Sequence, residues 1–105
     1  MDRRSNPRAR LGTIFLNKYI DGFPHLVKLV DVSAGGMLVR KFHEPDVARD
    51  YFTVELGVPG KAERMWLWTR RVWEIGDLVA LRFVGIDPID RGRLAKLVDD
   101  ARKAA

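Results

Sequence analysis

The chain predicts an all-β fold finished by a terminal helix, read as a small antiparallel barrel or sandwich. Three observations predict it. β-Branched and aromatic residues recur in short runs; Gly-, Pro- and Asp-containing turns separate those runs; and the apolar spacing becomes helical only after Asp87-Pro88. At 105 residues the chain has material for one core, and with no cysteine it must fold without disulfides. One domain is expected over 1–105, with a basic arm at 1–10, the β-structure at 11–86 and the helix at 87–103.

Each element has its own signal. Leu11 to Ile20 reads as a strand through Thr13, Ile14, Phe15 and Tyr19, and Asp21-Gly22-Phe23-Pro24 as the turn after it. Leu26 to Val30 and Met37 to Phe42 are strands flanking the stretch DVSAGG, residues 31–36. Glu44-Pro45-Asp46 marks a loop, and Tyr51 to Val58 returns to strand before Pro59-Gly60. Glu63 to Ile75 is the longest strand, and Gly76-Asp77 turns the chain into Leu78 to Ile86. Asp87 is placed to cap a helix with Pro88 at its first position, and Ile89, Leu94, Leu97, Val98 and Ala101 supply an apolar stripe. That helix should cover an opening or an edge of the β-structure.

Net charge is +5, and Arg3, Arg4, Arg8 and Arg10 concentrate much of the excess at the start of the chain. Such a block is either a solvated tail or a clamp for an anion. The opening residues are too polar for a signal peptide, and no run approaches the ~18 apolar residues of a membrane span. A cytoplasmic protein without a membrane span is expected.

Signals for catalysis are poor. His25 and His43 are the only histidines and lack metal-ligand spacing; no nucleophile elbow, phosphate loop or paired-carboxylate pattern is present. The prediction is a protein that is not an enzyme, with no catalytic residue, metal or cofactor. Strict alternation puts Trp66 and Trp68 on one face of their strand, under the helix or at an interface. It puts Trp73 on the other face, beside Arg71, as the better stacking platform.

DVSAGG is longer than a tight hairpin needs. Asp31 offers acceptor oxygens, Ser33 a donor and an acceptor, and Gly35 and Gly36 permit positive φ and leave room for a ligand against the backbone. In the arm, Arg4 and Arg8 form R-x-x-x-R, stiffened by Pro7. Guanidinium groups pair bidentately with phosphates or with the O6/N7 edge of guanine, and stack on base planes. A carboxylate accepts from the opposite guanine edge. The set therefore suits a ligand that carries both guanine and phosphate.

The ordered pair R-x-x-x-R at Arg4 and Arg8, then D-x-S-x-x-G at Asp31, Ser33 and Gly36, resembles the PilZ domain, a family of bacterial cyclic di-GMP receptors. The resemblance spans nearly the whole chain. Val54-Glu55-Leu56-Gly57-Val58-Pro59 is similar to the family's middle strand, Leu81-Arg82-Phe83-Val84 to its last strand, and Ile89 to Lys103 to its terminal helix. It implies a six-stranded antiparallel barrel with the arm folding over ligand at the barrel surface. It further implies that Arg4 and Arg8 contact guanine and phosphate, that Asp31 and Ser33 contact a guanine, and that Gly36 gives clearance. Trp73 falls near an aromatic that some members place beside the ligand, and Arg3 sits where an arginine accompanies a stacked pair of ligand molecules. Arg71, where an aliphatic residue is more usual, and Ala80, in place of a frequent glycine, depart from the pattern.

The function expected is a stand-alone cyclic di-GMP receptor that signals to a protein partner by reordering its arm. The alternative is a PilZ-fold interaction module that binds no nucleotide and uses the Trp66/Trp68 face. A basic barrel for single-stranded nucleic acid ranks last, because the aromatics are not interleaved with the arm's charge.

Overall fold

The computed structural model describes residues 13–57 and 62–104, the side chains of 101–104 excepted. Six strands, β1 (Phe15–Ile20), β2 (Phe23–Val32), β3 (Gly36–Lys41), β4 (Tyr51–Gly57), β5 (Arg64–Ile75) and β6 (Leu78–Ile86), precede one helix, α1 (Pro88–Ala104). All neighbouring strands are antiparallel, and they close into a barrel in the order β1-β2-β3-β6-β5-β4. The barrel, not the sandwich, is therefore the fold, and closure gives every strand a paired neighbour on both sides.

Alternation fills the interior. Leu16, Ile20, Val27, Met37, Val39, Phe52, Val54, Leu56, Met65, Leu67, Val79 and Leu81 are all buried and form one cluster. The turn between β1 and β2 is tighter than the sequence suggests. Asp21 (φ 53°) and Gly22 (φ 84°) alone make it, as a two-residue hairpin with positive φ at both positions requires, and Phe23 and Pro24 already belong to β2.

Asp87 caps α1 as expected: its Oδ1 accepts from the Ile89 amide at 2.9 Å. Leu94, Leu97 and Val98 join the barrel core, whereas Ile89 stays exposed. The nearly buried Asp90 accepts from the Trp66 amide at 3.3 Å. This fastens α1 at the end of the barrel where β5 begins. The helix thus covers an opening, and the Trp66 and Trp68 rings are not beneath it; they stand on the outer wall, about half exposed.

One inward position on β1 is a lysine. Lys18 lies between Leu16 and Ile20, and its Nζ meets Glu44 Oε1 at 2.9 Å, with both side chains under 5% exposed (2% and 4%). The ammonium also sits 4.2 Å from the centre of the Phe52 ring. This pair ties the segment between β3 and β4 into the barrel. Arg71 adds a second tie, donating to Asp50 Oδ1 at 2.9 Å and to the Arg49 carbonyl at 3.0 Å.

Candidate ligand-binding site

Two of the three register shifts among the described residues decide how Asp31 and Trp73 are presented. In β2 the pairing with β3 shifts between Leu29 and Asp31, so Val30 is an extra residue; in β5 the pairing with β6 shifts between Arg71 and Trp73, so Val72 is extra. Each extra residue reverses the alternation beyond it. Val27 and Leu29 face inward, and without the bulge Asp31 would follow them; with it, Asp31 is exposed and pairs with the outward Leu38.

Trp73 is turned in the same way. The expectation that it shares a face with Arg71, opposite Trp66 and Trp68, is overturned. Arg71 pairs with the inward Leu81, but Trp73 pairs with the outward Ala80 and lies on the outer wall, 43% exposed, as Trp66 and Trp68 do. Strict alternation failed because it counted Val72 as an ordinary ladder residue.

The consequence is a shared register row. Asp31 pairs with Leu38, Leu38 with Ala80, and Ala80 with Trp73, so acid and indole stand at the two ends of one row across β2, β3, β6 and β5. Three strand spacings separate them, about 14 Å. The row is low beside Trp73, because Ala80 has only a methyl group.

A second, parallel row lies beside it. Gly36 of β3 pairs with Arg82 of β6, and Arg82 with Arg70 of β5. Both guanidinium groups are exposed, and neither has a carboxylate partner among the described residues. Like charges directly opposite on a sheet are mildly destabilising, and an anion between them relieves that. Sequence reading missed both residues, since their pairing is visible only in the β5–β6 register.

The DVSAGG stretch is itself a hydrogen-bonded turn. The Ser33 amide donates to the Gly36 carbonyl at 2.8 Å, the Ser33 hydroxyl to the same carbonyl at 3.3 Å, and the Gly35 amide to Ser33 Oγ at 3.3 Å. Asp31 Oδ1 accepts from the Val32 amide at 2.9 Å. Asp31, Val32, Ser33, Gly36, Met37 and Leu38 line a shallow depression of about 200 Å³. The glycines depart from the expectation in backbone conformation. Neither Gly35 nor Gly36 has positive φ. A Cβ on Gly36 would stand 2.3 Å from the Leu81 carbonyl oxygen, so the close approach of β6 by itself requires glycine there. Around Gly35 there is open space.

Arg3, Arg4 and Arg8 lie outside the described residues. The structure therefore brings together Asp31, Ser33, Gly35, Gly36 and Trp73 from the sequence-predicted set, and adds Arg70 and Arg82. Among the described residues, no three His, Asp or Glu side chains are grouped to hold a metal ion, and no helix is long and apolar enough to cross a membrane. His25 Nδ1 lies 3.0 Å from the Phe23 carbonyl oxygen in its own strand.

Neither a scan against protein-family models nor a search of curated proteins returned a match to this chain.

Proposed function

We propose that this chain is a PilZ-type receptor for cyclic di-GMP, held on the outer wall of the barrel between the β2–β3 turn and Trp73. The observation that carries the reading is the shared row of Asp31 and Trp73, bordered by Arg82 and Arg70, which have no carboxylate partner among the described residues. In this reading Asp31 and Ser33 take the Watson–Crick edge of one guanine. Trp73 offers an exposed indole for stacking, worth about 1–3 kcal/mol per base. Arg82 and Arg70 face the phosphates, and Arg4 and Arg8 close over the ligand from the arm, with Arg3 holding a second, stacked molecule. Ligand then acts on a protein partner through the reordered arm, with no chemistry on the nucleotide.

Calorimetric titration with cyclic di-GMP, cyclic di-AMP, GTP and a short oligonucleotide tests this. We expect saturable binding of cyclic di-GMP alone, with more than one ligand per chain. A charge-assisted hydrogen bond is worth about 1.5–3 kcal/mol, so Arg4→Ala, Arg8→Ala and Asp31→Ala should each weaken binding roughly ten- to a hundred-fold. Arg82→Ala should weaken it and flatten its salt dependence. Equal affinity for cyclic di-AMP would remove Asp31 as the reader of the base.

A further inference from the structure

A second concavity occupies the outer wall of β1, β4 and β5. Tyr19, Thr53 and Trp68 share a register row, and Trp66 and Tyr51 sit one outward step to either side of it. The rings close up diagonally. Tyr19 and Trp66 have centroids 5.7 Å apart, and Tyr51 and Trp68 are stacked at 5.8 Å and 18°. Two aromatic ridges thus flank a floor made by Thr53, in a groove of about 340 Å³ that ends at Asp21, Gly22 and Arg49.

The charged side chains that line this groove are already matched, and Arg70, the register partner of Tyr51, stands outside the lining. Asp21 pairs with Arg49 at 2.7 Å. Glu55, beyond the Tyr19 end, accepts from the Tyr19 hydroxyl at 3.0 Å, from Asn17 at 3.3 Å and from Arg64 at 2.5 Å. Burial pushes the Glu55 carboxyl up, but these hydrogen bonds more than offset it and hold the group below the ordinary carboxylate value. An ionic ligand would have to compete with these pairs. A neutral one need not.

We propose that this groove binds a proline-rich segment of a partner protein in the polyproline II conformation. Three features select that occupant over other peptides. Under the groove β4 is paired with β1 on one side and β5 on the other, so strand addition is unavailable there. The apolar floor is one outward step long on either side of Thr53, too short for the i, i+4, i+7 anchors of a docked helix. The walls also present donors, the indole N–H groups of Trp66 and Trp68 and the hydroxyls of Tyr51 and Thr53. Proline brings an apolar ring, carbonyl acceptors and no N–H to be left without a partner, and a polyproline helix keeps those carbonyls free of internal hydrogen bonds. Between ridges of this kind the pyrrolidine ring seats on Thr53, and the flanking carbonyls meet the indole donors.

The test is a titration of the ¹⁵N-labelled full chain, read at its three indole N–H resonances. Decaproline is the probe, and maltohexaose is the control for sugar stacking. The proposal expects a saturable shift of the Trp66 and Trp68 signals with decaproline, Trp73 unmoved, and no response to maltohexaose. Trp68→Ala truncates a half-exposed ring and should leave the fold intact while weakening decaproline at least tenfold. Thr53→Arg fills the floor and should do the same with all three indoles present. No saturable shift, a shift with maltohexaose only, or wild-type affinity in both variants would overturn it. Cyclic di-GMP added alone reports on Trp73, so failure at one site is distinguishable from failure at the other.

Discussion

Asp31 and Trp73 stand at opposite ends of one register row, joined through Leu38 and Ala80, and each faces outward because one extra residue, Val30 or Val72, precedes it. Two independent bulges have thus placed an acid and an indole on one surface. A barrel with unbroken ladders would have turned both side chains toward its core. Bulges re-aim side chains in this way at the cost of one ladder position each.

If the row is the ligand surface, removing one end should be felt in binding and not in folding. Trp73→Ala should weaken cyclic di-GMP about five- to a hundred-fold, the range of one stacking contact. Its unliganded stability should stay within about 0.5 kcal/mol of wild type, as for other surface changes. Deleting Val72 removes the extra residue and leaves Trp73 opposite Ala80 and still facing outward, so cyclic di-GMP binding should survive that deletion. Calorimetry and urea denaturation on the two variants separate the cases.

The adjacent glycines should respond in opposite ways. Gly36→Ala puts a methyl group 2.3 Å from a backbone oxygen of β6, which neither strand can yield cheaply. We expect a loss of about 1–3 kcal/mol in the absence of any ligand. Gly35→Ala meets nothing within 4 Å and should be nearly neutral. A thermal melt of each apo variant checks this. A wild-type melting temperature for Gly36→Ala would show that β6 does not require glycine there.

Lys18 and Glu44 form an ion pair inside the barrel wall, so breaking it from one side strands a buried charge. Lys18→Met should destabilise the fold by about 3–5 kcal/mol. The double variant Lys18→Met/Glu44→Leu should recover most of that, because apolar groups of similar size replace both desolvated ions. Urea midpoints for the single and double variants measure the coupling.

Lys41 and Glu74 join β3 to β5 and should govern the pH limits of stability. The Lys41 ammonium holds the Glu74 carboxyl below its ordinary 4.5, and Glu74 in turn holds the ammonium above its ordinary 10.5. For Glu74 the unfolded chain takes up the proton first. Its contribution is complete above about pH 4.5 and is lost as pH falls through the folded value. For Lys41 the sign reverses: its contribution is complete below 10.5 and is lost as pH rises through the folded value. Glu74→Gln should flatten both limbs of a urea-midpoint profile. Unchanged limbs would show that other groups set them.

What the sequence determined by itself was local. Runs of β-branched and aromatic residues between turn residues were enough for the strands, and Asp87-Pro88 before a stripe at helical spacing was enough for the helix and its cap. Both signals depend on neighbours a few positions away along the chain. Asp31, Ser33 and Gly36 were legible as a set because their spacing is itself local, and the paired motifs carried the expectation of a barrel.

The tertiary structure decided which way those residues face and what they meet. Alternation assigns faces only while every residue takes one place in the ladder, and whether Val30 or Val72 takes a place depends on the strand opposite. In β2 a trace was readable, since the inward residues Val27, Leu29 and Val32 break step after Leu29. In β5 there was none. The same reason hid the rest: Gly36 is required by a carbonyl of β6, Lys18 is tolerated inside because Glu44 comes to it, and Arg82 faces Arg70 only through the β5–β6 pairing. Each depends on a residue distant in the chain that only closure of the barrel brings alongside.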